Sequence, residues 1–479
     1  MEPYSHDAVT GDKHISFPEA VVLPATTEEV AAVIRLANRE LIPIVPRGAG
    51  TGFACAAVAY DGGIVLSTER LNKIIEIDDG NMVMVVEPGA RTSEVQEAAT
   101  ARGYLYAGEP SSGDSSFIGG NVATNAGGIK AAKYGTTRQQ VLGLELVTPE
   151  GEVVMLGGKL RKDATGYNLA QLVIGSEGTL GVVTKIILRL IPKPAKTMDL
   201  LAIFPTAEAA IAIVAKIMHA GITPMCVEFM DNKAIRCCEE FLGEKLPHSE
   251  DGYYIIVSLD GDSDETLENQ CVAIDELCEA NGSLEVLVAD PVKIWKARKS
   301  IGEASRHRSL IFSSEDTVVP PAAIPAVVAK LAELADKYGL TANIVAHAAD
   351  GNVHADILKE DMHQDEWDEK LPKLQEELYT FVYGLGGKLS GEHGVGRKRL
   401  ELMAKFANPV ELKMMRAVKQ ALDPNGIMNP GGIFRVCGRL IPEAARVDAA
   451  GAESCAGAGF SGFAGAAALT WSVYSRQIR

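Results

Sequence analysis

Ile118-Gly119-Gly120-Asn121-Val122-Ala123-Thr124-Asn125-Ala126-Gly127-Gly128 is a stretch with many backbone N–H groups and little side-chain bulk. It sits inside a span, 107–135, that is dense in glycine and small polar residues and low in helix and strand signals, with Pro110-Ser111-Ser112 upstream. A loop this long inside a compact domain is functional or disordered. The short apolar runs closely flanking it and its low charge argue for function. Two further glycine loops accompany it: Pro46-Arg47-Gly48-Ala49-Gly50-Thr51-Gly52, and Gly175-Ser176-Glu177-Gly178-Thr179-Leu180-Gly181-Val182-Val183. Such loops let backbone approach phosphate closely. One alone is a plain turn cluster; three in succession, separated by strands, point to one large phosphate-bearing ligand. A dinucleotide fingerprint fits poorly, because no clear helix opens at the third glycine of the first loop and the acidic residue about 20 positions on is ill-defined. A P-loop is excluded, since no Gly-x-x-x-x-Gly-Lys-Ser/Thr element is present.

Around these loops the signals are local and ordinary. Thr26 and Glu29 form a capping-box pattern ahead of a helix read over 24–39. Strands are read at 42–46, 82–86 and 184–191, with a hairpin at Pro149-Glu150-Gly151. Pro192 and Pro194 suggest a boundary near 195. Beyond it, helices near 207–219, 264–280, 322–338 and 365–383 alternate with strands near 253–259, 284–289 and 341–346. This is the pattern of an α+β domain on a mostly antiparallel sheet. At 479 residues, roughly two to three domains are expected. Ala and Gly dominate 449–468, and the tail 438–479 is expected to be disordered, without chemistry.

A second group of residues carries chemistry. In Ala346-His347-Ala348-Ala349-Asp350-Gly351-Asn352-Val353-His354, Asp350-Gly351 is a two-residue hairpin signal. That turn pairs 347 with 354 and sets both imidazoles on one face, Cβ atoms about 4.5–5.5 Å apart. Two imidazoles so placed chelate a cation or simply hydrogen-bond on a half-buried sheet. Gly391-Glu392-His393-Gly394, some forty residues on, adds a carboxylate and a spare imidazole and favours the metal.

Bulk properties exclude other classes. With 63 acidic against 46 basic residues, the net charge of −17 argues against nucleic-acid binding. No apolar run reaches the 18 or so residues that span a bilayer, and the N-terminus has no signal-peptide pattern, so a cytoplasmic protein is expected. The eight cysteines include no Cys-x-x-Cys pair, so an internal iron–sulfur cluster is not expected.

The three glycine loops together resemble the flavin-binding domain of the vanillyl-alcohol oxidase and p-cresol methylhydroxylase superfamily. His347-x6-His354, Glu392-His393 and Asn429-Pro430-Gly431 resemble its branch of D-lactate dehydrogenases and the flavin-bearing chain of glycolate oxidase. The resemblance covers roughly 6–437 and implies a two-domain α+β flavoprotein. An FAD-binding domain of the p-cresol methylhydroxylase type would span 1–195, and a cap domain with the metal site 196–418. A segment at 419–437 would return to the first domain. FAD pyrophosphate would lie against 47–52 and 119–128, with the loop at 178–183 near adenine and flavin. The implied cofactor contacts are Pro46, Arg47, Gly48, Ala49, Gly50, Thr51, Gly52, Pro110, Ser111 and Ser112. Others are Gly119, Gly120, Asn121, Ala123, Thr124, Asn125, Gly127, Gly128, Glu177, Gly178, Gly181, Val183 and Asn429. Thr51 and its neighbours offer no histidine for covalent attachment, so non-covalent FAD is expected. Relatives carry more chain before the position of Tyr4, and the tail has no counterpart among them.

The implied reaction is oxidation of D-lactate or glycolate to the 2-oxo acid. A divalent ion (zinc, iron or manganese) would be held by His347, His354 and Glu392. His393 would be the base; a fourth ligand, or a donor behind the ligands, is its alternative role. Arg298, on a helix face with Trp295, matches the family's Trp-x-x-Arg context and would bind the substrate carboxylate, a surface charge run being the alternative. Asn352 would be a further substrate contact. Electrons would leave to a separate protein, an electron-transfer flavoprotein or an iron–sulfur subunit. Two other readings stand beside this one: a non-redox FAD enzyme of the ether-lipid synthase kind, and a catalytically silent flavin- and metal-binding subunit.

Overall fold

The backbone is organised by three principal sheets, whose strand orders set the site. The computed structural model describes residues 1–11, 14–288 and 291–434; the expected tail of 438–479 lies outside the described residues. A parallel three-stranded sheet runs Ala20–Val22, Ile64–Ser67, Ile44–Arg47. An antiparallel five-stranded sheet runs Ile74–Asp78, Val83–Val86, Val182–Arg189, Val141–Val147, Val153–Gly157. The capped helix forms as read: Thr26 precedes Thr27–Glu40 and its side chain accepts from the Glu29 N–H.

The glycine-rich span is more ordered than its composition implies. Ile118–Thr124 is a helix, ended by left-handed Asn125, and Ala131–Tyr134 forms another turn. Glycine weakens a helix by about 1 kcal/mol per residue. Burial of Ile118 and Val122 in the core under the five-stranded sheet outweighs that here.

The third sheet is antiparallel and has seven strands. Its order is Glu285–Val288, Lys196–Phe204, Tyr253–Gly261, Cys226–Met230, Thr341–His347, Asn352–Leu358, Phe312–Val318. Three of these, Lys196–Phe204, Cys226–Met230 and Phe312–Val318, are strands not expected from the sequence pattern. Helices Ala207–His219, Asp264–Glu279, Ile324–Tyr338 and Gln364–Gly384 cover one face with a continuous apolar core. The other face is half covered, by helices Asn232–Leu242, Pro291–Lys299 and Ile301–Arg308.

The uncovered part of that face carries polar side chains in rows. Register places Glu228, His347, Asn352 and Val318 in the first row. Met230, Val345, His354 and Asp316 form the second. Asn343, Asp356 and Ser314 form the third. The chain end returns to the first domain, where the Asn429 N–H donates to the Ile44 carbonyl (2.7 Å).

Candidate functional site

The three glycine loops meet, and the close approach, with a positive φ, explains Gly178. A Cβ on Gly48 would touch the backbone of Gly120 at 3.4 Å, and one on Gly178 would touch Pro46 at 3.0 Å. The third loop also donates to the second, from Gly175 N to Val122 O (3.0 Å) and from Glu177 N to Ala123 O (2.8 Å). Between them lies a cleft of about 1300 Å³, counting its open mouth. Most of the expected cofactor residues line it, from Pro46 through Gly52, Pro110–Ser112, Gly119–Asn121, Ala123, Thr124, Glu177, Gly178, Gly181 and Val183. A Cβ on Gly120 would point into open space, so the cleft wall there is bare backbone. The cleft fits a ligand whose phosphates are cradled by main chain, and its far end is lined by Glu392 and His393.

Four expected cofactor residues do not line the cleft and hold the fold instead. Asn125 accepts from the Arg138 N–H (2.9 Å) and the Thr136 hydroxyl (3.0 Å). Asn429 donates to the carbonyls of Ala56 (2.9 Å) and Glu177 (2.7 Å). Gly127 lies against Glu392, and Gly128 against the Glu109 carbonyl. Two residues that do line the cleft have their charged groups committed elsewhere. Arg47 donates to the carbonyls of Ala57, Pro3 and His6. The Glu177 carboxylate accepts from Val395 N and Gly396 N, both 2.8 Å.

Beyond the cleft, the rows of the seven-stranded sheet meet the segment 390–396. The hairpin register differs from the two-residue turn read in the sequence. His347 pairs with Asn352 and Val345 with His354, around a four-residue loop, 348–351. Asp350 N (3.2 Å) and Gly351 N (3.3 Å) both turn back to the His347 carbonyl, and Asp350 Oδ1 accepts from Asn352 N (3.2 Å). Gly351, at φ +94°, closes the loop where any Cβ would strike the Val319 carbonyl. The register changes by two residues, so both imidazoles keep the same face. They are diagonal neighbours, ring centroids 5.3 Å apart.

One ligand atom each from His347, His354 and Glu392 lie within 4.8 Å of one another. Both Nε2 atoms face Glu392 Oε1, at 3.7 Å from His347 and 3.2 Å from His354. Each Nδ1 is backed by a different carboxylate. His347 Nδ1 stands 2.6 Å from Glu228 Oε1, and His354 Nδ1 stands 3.5 Å from Asp316 Oδ1. Two imidazoles and a carboxylate facing inward, with carboxylates behind the rings, is the donor set of a divalent transition-metal site. The electrostatics agree. Burial opposes charge on His347, yet Glu228 and Glu392 hold its pKa well above the usual range. Glu392 is likewise held well below its range, against burial, by His347 and His354. A cation is thus favoured between them, whether a proton or a metal ion.

A second group, Asp316 with His354 and His393, also meets the spacing for a metal. Asp316 is already saturated. Its Oδ2 accepts from Ser390 Oγ and from Gly391 N, Glu392 N and His393 N, at 2.6–3.1 Å, and its Oδ1 accepts from Asn352 Nδ2 (2.8 Å). It is the anchor that fixes the 390–393 turn beneath the sheet. Asn352 spends its amide on Asp316 and the Thr317 carbonyl (3.0 Å), so it positions Asp316; the substrate contact expected of it is not where its N–H groups point.

His393 lies outside the His347–His354–Glu392 cluster, between the rings of Phe53 and His354, each 5.1 Å away. Burial pushes its pKa down to about 4, with His354 adding to this and Asp316 opposing it. The imidazole is therefore neutral at neutral pH and able to accept a proton. Arg298 is buried at the opposite side of the cluster. Its Nε (2.9 Å) and Nη2 (2.6 Å) both bind Glu228 Oε2, and it lines the same cavity as His347, His354 and His393. Of the expected catalytic and metal residues, His347, His354, Glu392, His393 and Arg298 line one cavity, and Asn352 does not. The structure adds two that sequence reasoning missed, Glu228 and Asp316. For Glu228 the signal was a lone acid in the apolar run Cys226-Val227-Glu228-Phe229-Met230.

Comparison with known proteins finds two family matches in succession along the chain. Residues 18–157 match the family described as FAD binding domain, and residues 193–433 match the FAD linked oxidases, C-terminal domain. A D-lactate dehydrogenase of Anaerostipes hadrus is 35% identical over 92% of this chain and 93% of its own. The glycolate oxidase subunit GlcD of Bacillus subtilis is 35% identical over 90% of this chain and 92% of its own. Among solved structures, p-cresol methylhydroxylase superposes with a TM-score of 0.74 at 19% identity, covering 90% of this chain and 91% of that one. No helix among the described residues is long and apolar enough to cross a membrane. With one family match spanning half of the chain and close relatives spanning nearly all of it, the protein belongs to the FAD-linked oxidases and is an FAD-dependent oxidoreductase.

Proposed function

We propose that the protein oxidises a small D-2-hydroxy acid, of the D-lactate or glycolate class, to the 2-oxo acid. The observation that carries this reading is the convergence of His347, His354, Glu392 and His393 in one cavity, with Glu392 and His393 also lining the glycine-loop cleft. The names of the relatives, D-lactate dehydrogenase and glycolate oxidase subunit, support it.

His347, His354 and Glu392 would hold one divalent ion, which supplies Lewis acidity to a bound hydroxyl. FAD supplies the two-electron acceptor for hydride from C2. The work of the chain's own residues is then as follows. Arg298 binds the substrate carboxylate with the N–H groups that Glu228 leaves free, and Glu228 fixes its fork. His393 takes the hydroxyl proton at a ring nitrogen; burial keeps that ring neutral beforehand. Phe53 packs against His393 and the Gly127 backbone lies against Glu392, on the side of the glycine loops. The substrate loses one proton and one hydride, and the electrons pass to a separate protein, an electron-transfer flavoprotein or an iron–sulfur subunit.

The test is anaerobic. Adding D-lactate or glycolate to the FAD-loaded protein should bleach the flavin absorption. Chelation should abolish bleaching and a divalent ion should restore it. A flavin-loaded protein that no 2-hydroxy acid bleaches refutes the reading.

A further inference from the structure

The third row of the sheet face has no part in the chemistry above, yet it lines the same cavity. Asn343, Asp356 and Ser314 pair across three strands in register. All three side chains are buried from bulk solvent while bordering the cavity that holds His347, His354 and His393. Asp356 is two residues beyond His354 on one strand face, about 6.5 Å away at a strand's rise. A substrate whose hydroxyl-bearing carbon sits among His347, His354 and His393 would reach that row with the group attached to this carbon.

The chemistry of the row is specific. The Asp356 carboxyl is hydrogen-bonded by the Ser305 and Ser314 hydroxyls. A carboxylate offers about four lone-pair positions, so two remain for a ligand. Asn343 Nδ2 is spent on Ser305 Oγ (3.1 Å). Lys398, the nearby buried cation, donates to the Ser314 carbonyl (2.6 Å) and does not border the cavity. The row itself therefore offers acceptors and a hydroxyl, and the Asp356 carboxyl disfavours a second carboxylate beside it, whereas the cations that also line the cavity, among them Arg298, Lys299 and Arg306, stand outside the row. A methyl group there would leave the polar wall unanswered; a hydroxyl would satisfy it.

Resting on the proposed reaction, we infer that the Asn343–Asp356–Ser314 row is a specificity subsite for a hydroxyl on the substrate carbon beyond C2, so that the preferred substrates are polyhydroxylated 2-hydroxy acids. Three acids that differ only in this group test it: D-glycerate (hydroxymethyl), D-lactate (methyl) and D-malate (carboxymethyl). Calorimetric Kd on the FAD- and metal-loaded protein ranks them independently of turnover. Anaerobic flavin bleaching gives kcat/KM for the same set. D-glycerate should bind and react at least about tenfold better than D-lactate, the value of one hydrogen bond to a charged group, with D-malate weakest. Ser314→Ala and Asp356→Ala should each bring the glycerate-to-lactate ratio toward one. Ser314→Ala deletes only a hydroxyl, and so keeps the test open where Asp356→Ala fails to fold. Equal or tighter binding of D-lactate or D-malate overturns the inference, as does a ratio that survives Ser314→Ala. A failure of all three acids to bleach flavin refutes the proposed reaction, while the calorimetric ranking still decides the subsite.

Discussion

Glu228→Gln is the substitution whose consequences the structure lets one work through most fully. The wild-type carboxylate is buried, with 1% of its side chain exposed, and it receives three charged contacts. His347 Nδ1 meets Oε1 at 2.6 Å, while Arg298 Nε (2.9 Å) and Nη2 (2.6 Å) meet Oε2. Glutamine preserves shape and one acceptor oxygen but places an amide NH2 against one of these donors. Hydrogen bonds to charged groups contribute about 1.5–3 kcal/mol each. Breaking a buried pair and stranding its partner costs about 3–5 kcal/mol. Because glutamine keeps one acceptor, the lower end applies, about 3 kcal/mol. With an unfolding entropy of about 2.1 cal/mol/K per residue, a chain of this size loses about 3 °C of Tm.

Two functional readouts should move together with stability. His347 loses the carboxylate that orients its ring, so affinity for a divalent ion, measured by competition with a chelator, should fall about 10- to 100-fold. Arg298 loses its anchor, so KM for the hydroxy acid should rise. A double-mutant cycle with Arg298→Gln separates the two arms. If Glu228 acts on substrate through Arg298, the effects on KM should be strongly non-additive, while the loss of metal affinity should follow Glu228→Gln alone. A Glu228→Gln protein with wild-type metal affinity, KM and Tm would refute the view that one carboxylate ties the substrate arm to the metal arm.

Other perturbations reach different parts of the site. His393→Ala should lower kcat about 10²- to 10⁴-fold with FAD and metal content unchanged, as measured by absorbance and elemental analysis; a fall in metal content instead would make His393 a ligand. Gly127→Ala would put a Cβ 2.6 Å from Glu392 Oε2, so the carboxylate must shift; metal affinity should drop about tenfold while FAD binding holds. Asp231, far from the chemistry, is raised to about 7 by burial, against the pull of the Ala234 and Ile344 N–H groups. The unfolded chain ionises this group near pH 4 and the native one only near 7, so the native state binds more protons between them and stability falls as pH rises through that window. Asp231→Asn should remove that decline, on the order of 4 kcal/mol, and the difference in urea unfolding between pH 4 and 8 reads it directly.

How much of this was legible in the sequence depended on distance along the chain. The three loops announced themselves because glycine density is local. The two histidines kept their shared face despite a misread turn, because lengthening the loop by two residues moves the register by two and preserves the side-chain face. Glu228 and Asp316 were invisible for the opposite reason. They lie 119 and 38 residues from the histidines they back, on strands that became neighbours only through the sheet order. The first of those strands is buried on both faces, so it shows no alternation to reveal which way Glu228 points. Asn352, Asn429 and Glu177 were expected to touch substrate or cofactor, but their side chains are committed to protein partners, and which partner an amide or carboxylate takes is a tertiary fact that no local pattern encodes.

That last group explains why the cofactor cleft and the acid–histidine cluster behave as one site. Glu177 leaves the third glycine loop to accept the N–H groups of Val395 and Gly396, two residues past the His393-Gly394 pair. Asn429, on the returning chain end, donates to the Glu177 carbonyl and so holds that loop from behind. Gly127 presents its bare backbone to Glu392, and Phe53 presents its ring to His393. All of these contacts except that of Asn429 join a glycine loop or its flank to the 390–396 segment. The seven-stranded sheet reaches the same segment from the other side through Asp316. The 390–396 turn is therefore clamped between the two sheets' loops. A change that loosens either clamp moves Glu392 and His393 together, relative both to the cleft and to the histidine pair. Hydride transfer and proton transfer in the proposed reaction then share a single positional constraint. Variants at Glu177 or Asp316 should thus lose both steps in proportion, which variants at His393 or Arg298 should not.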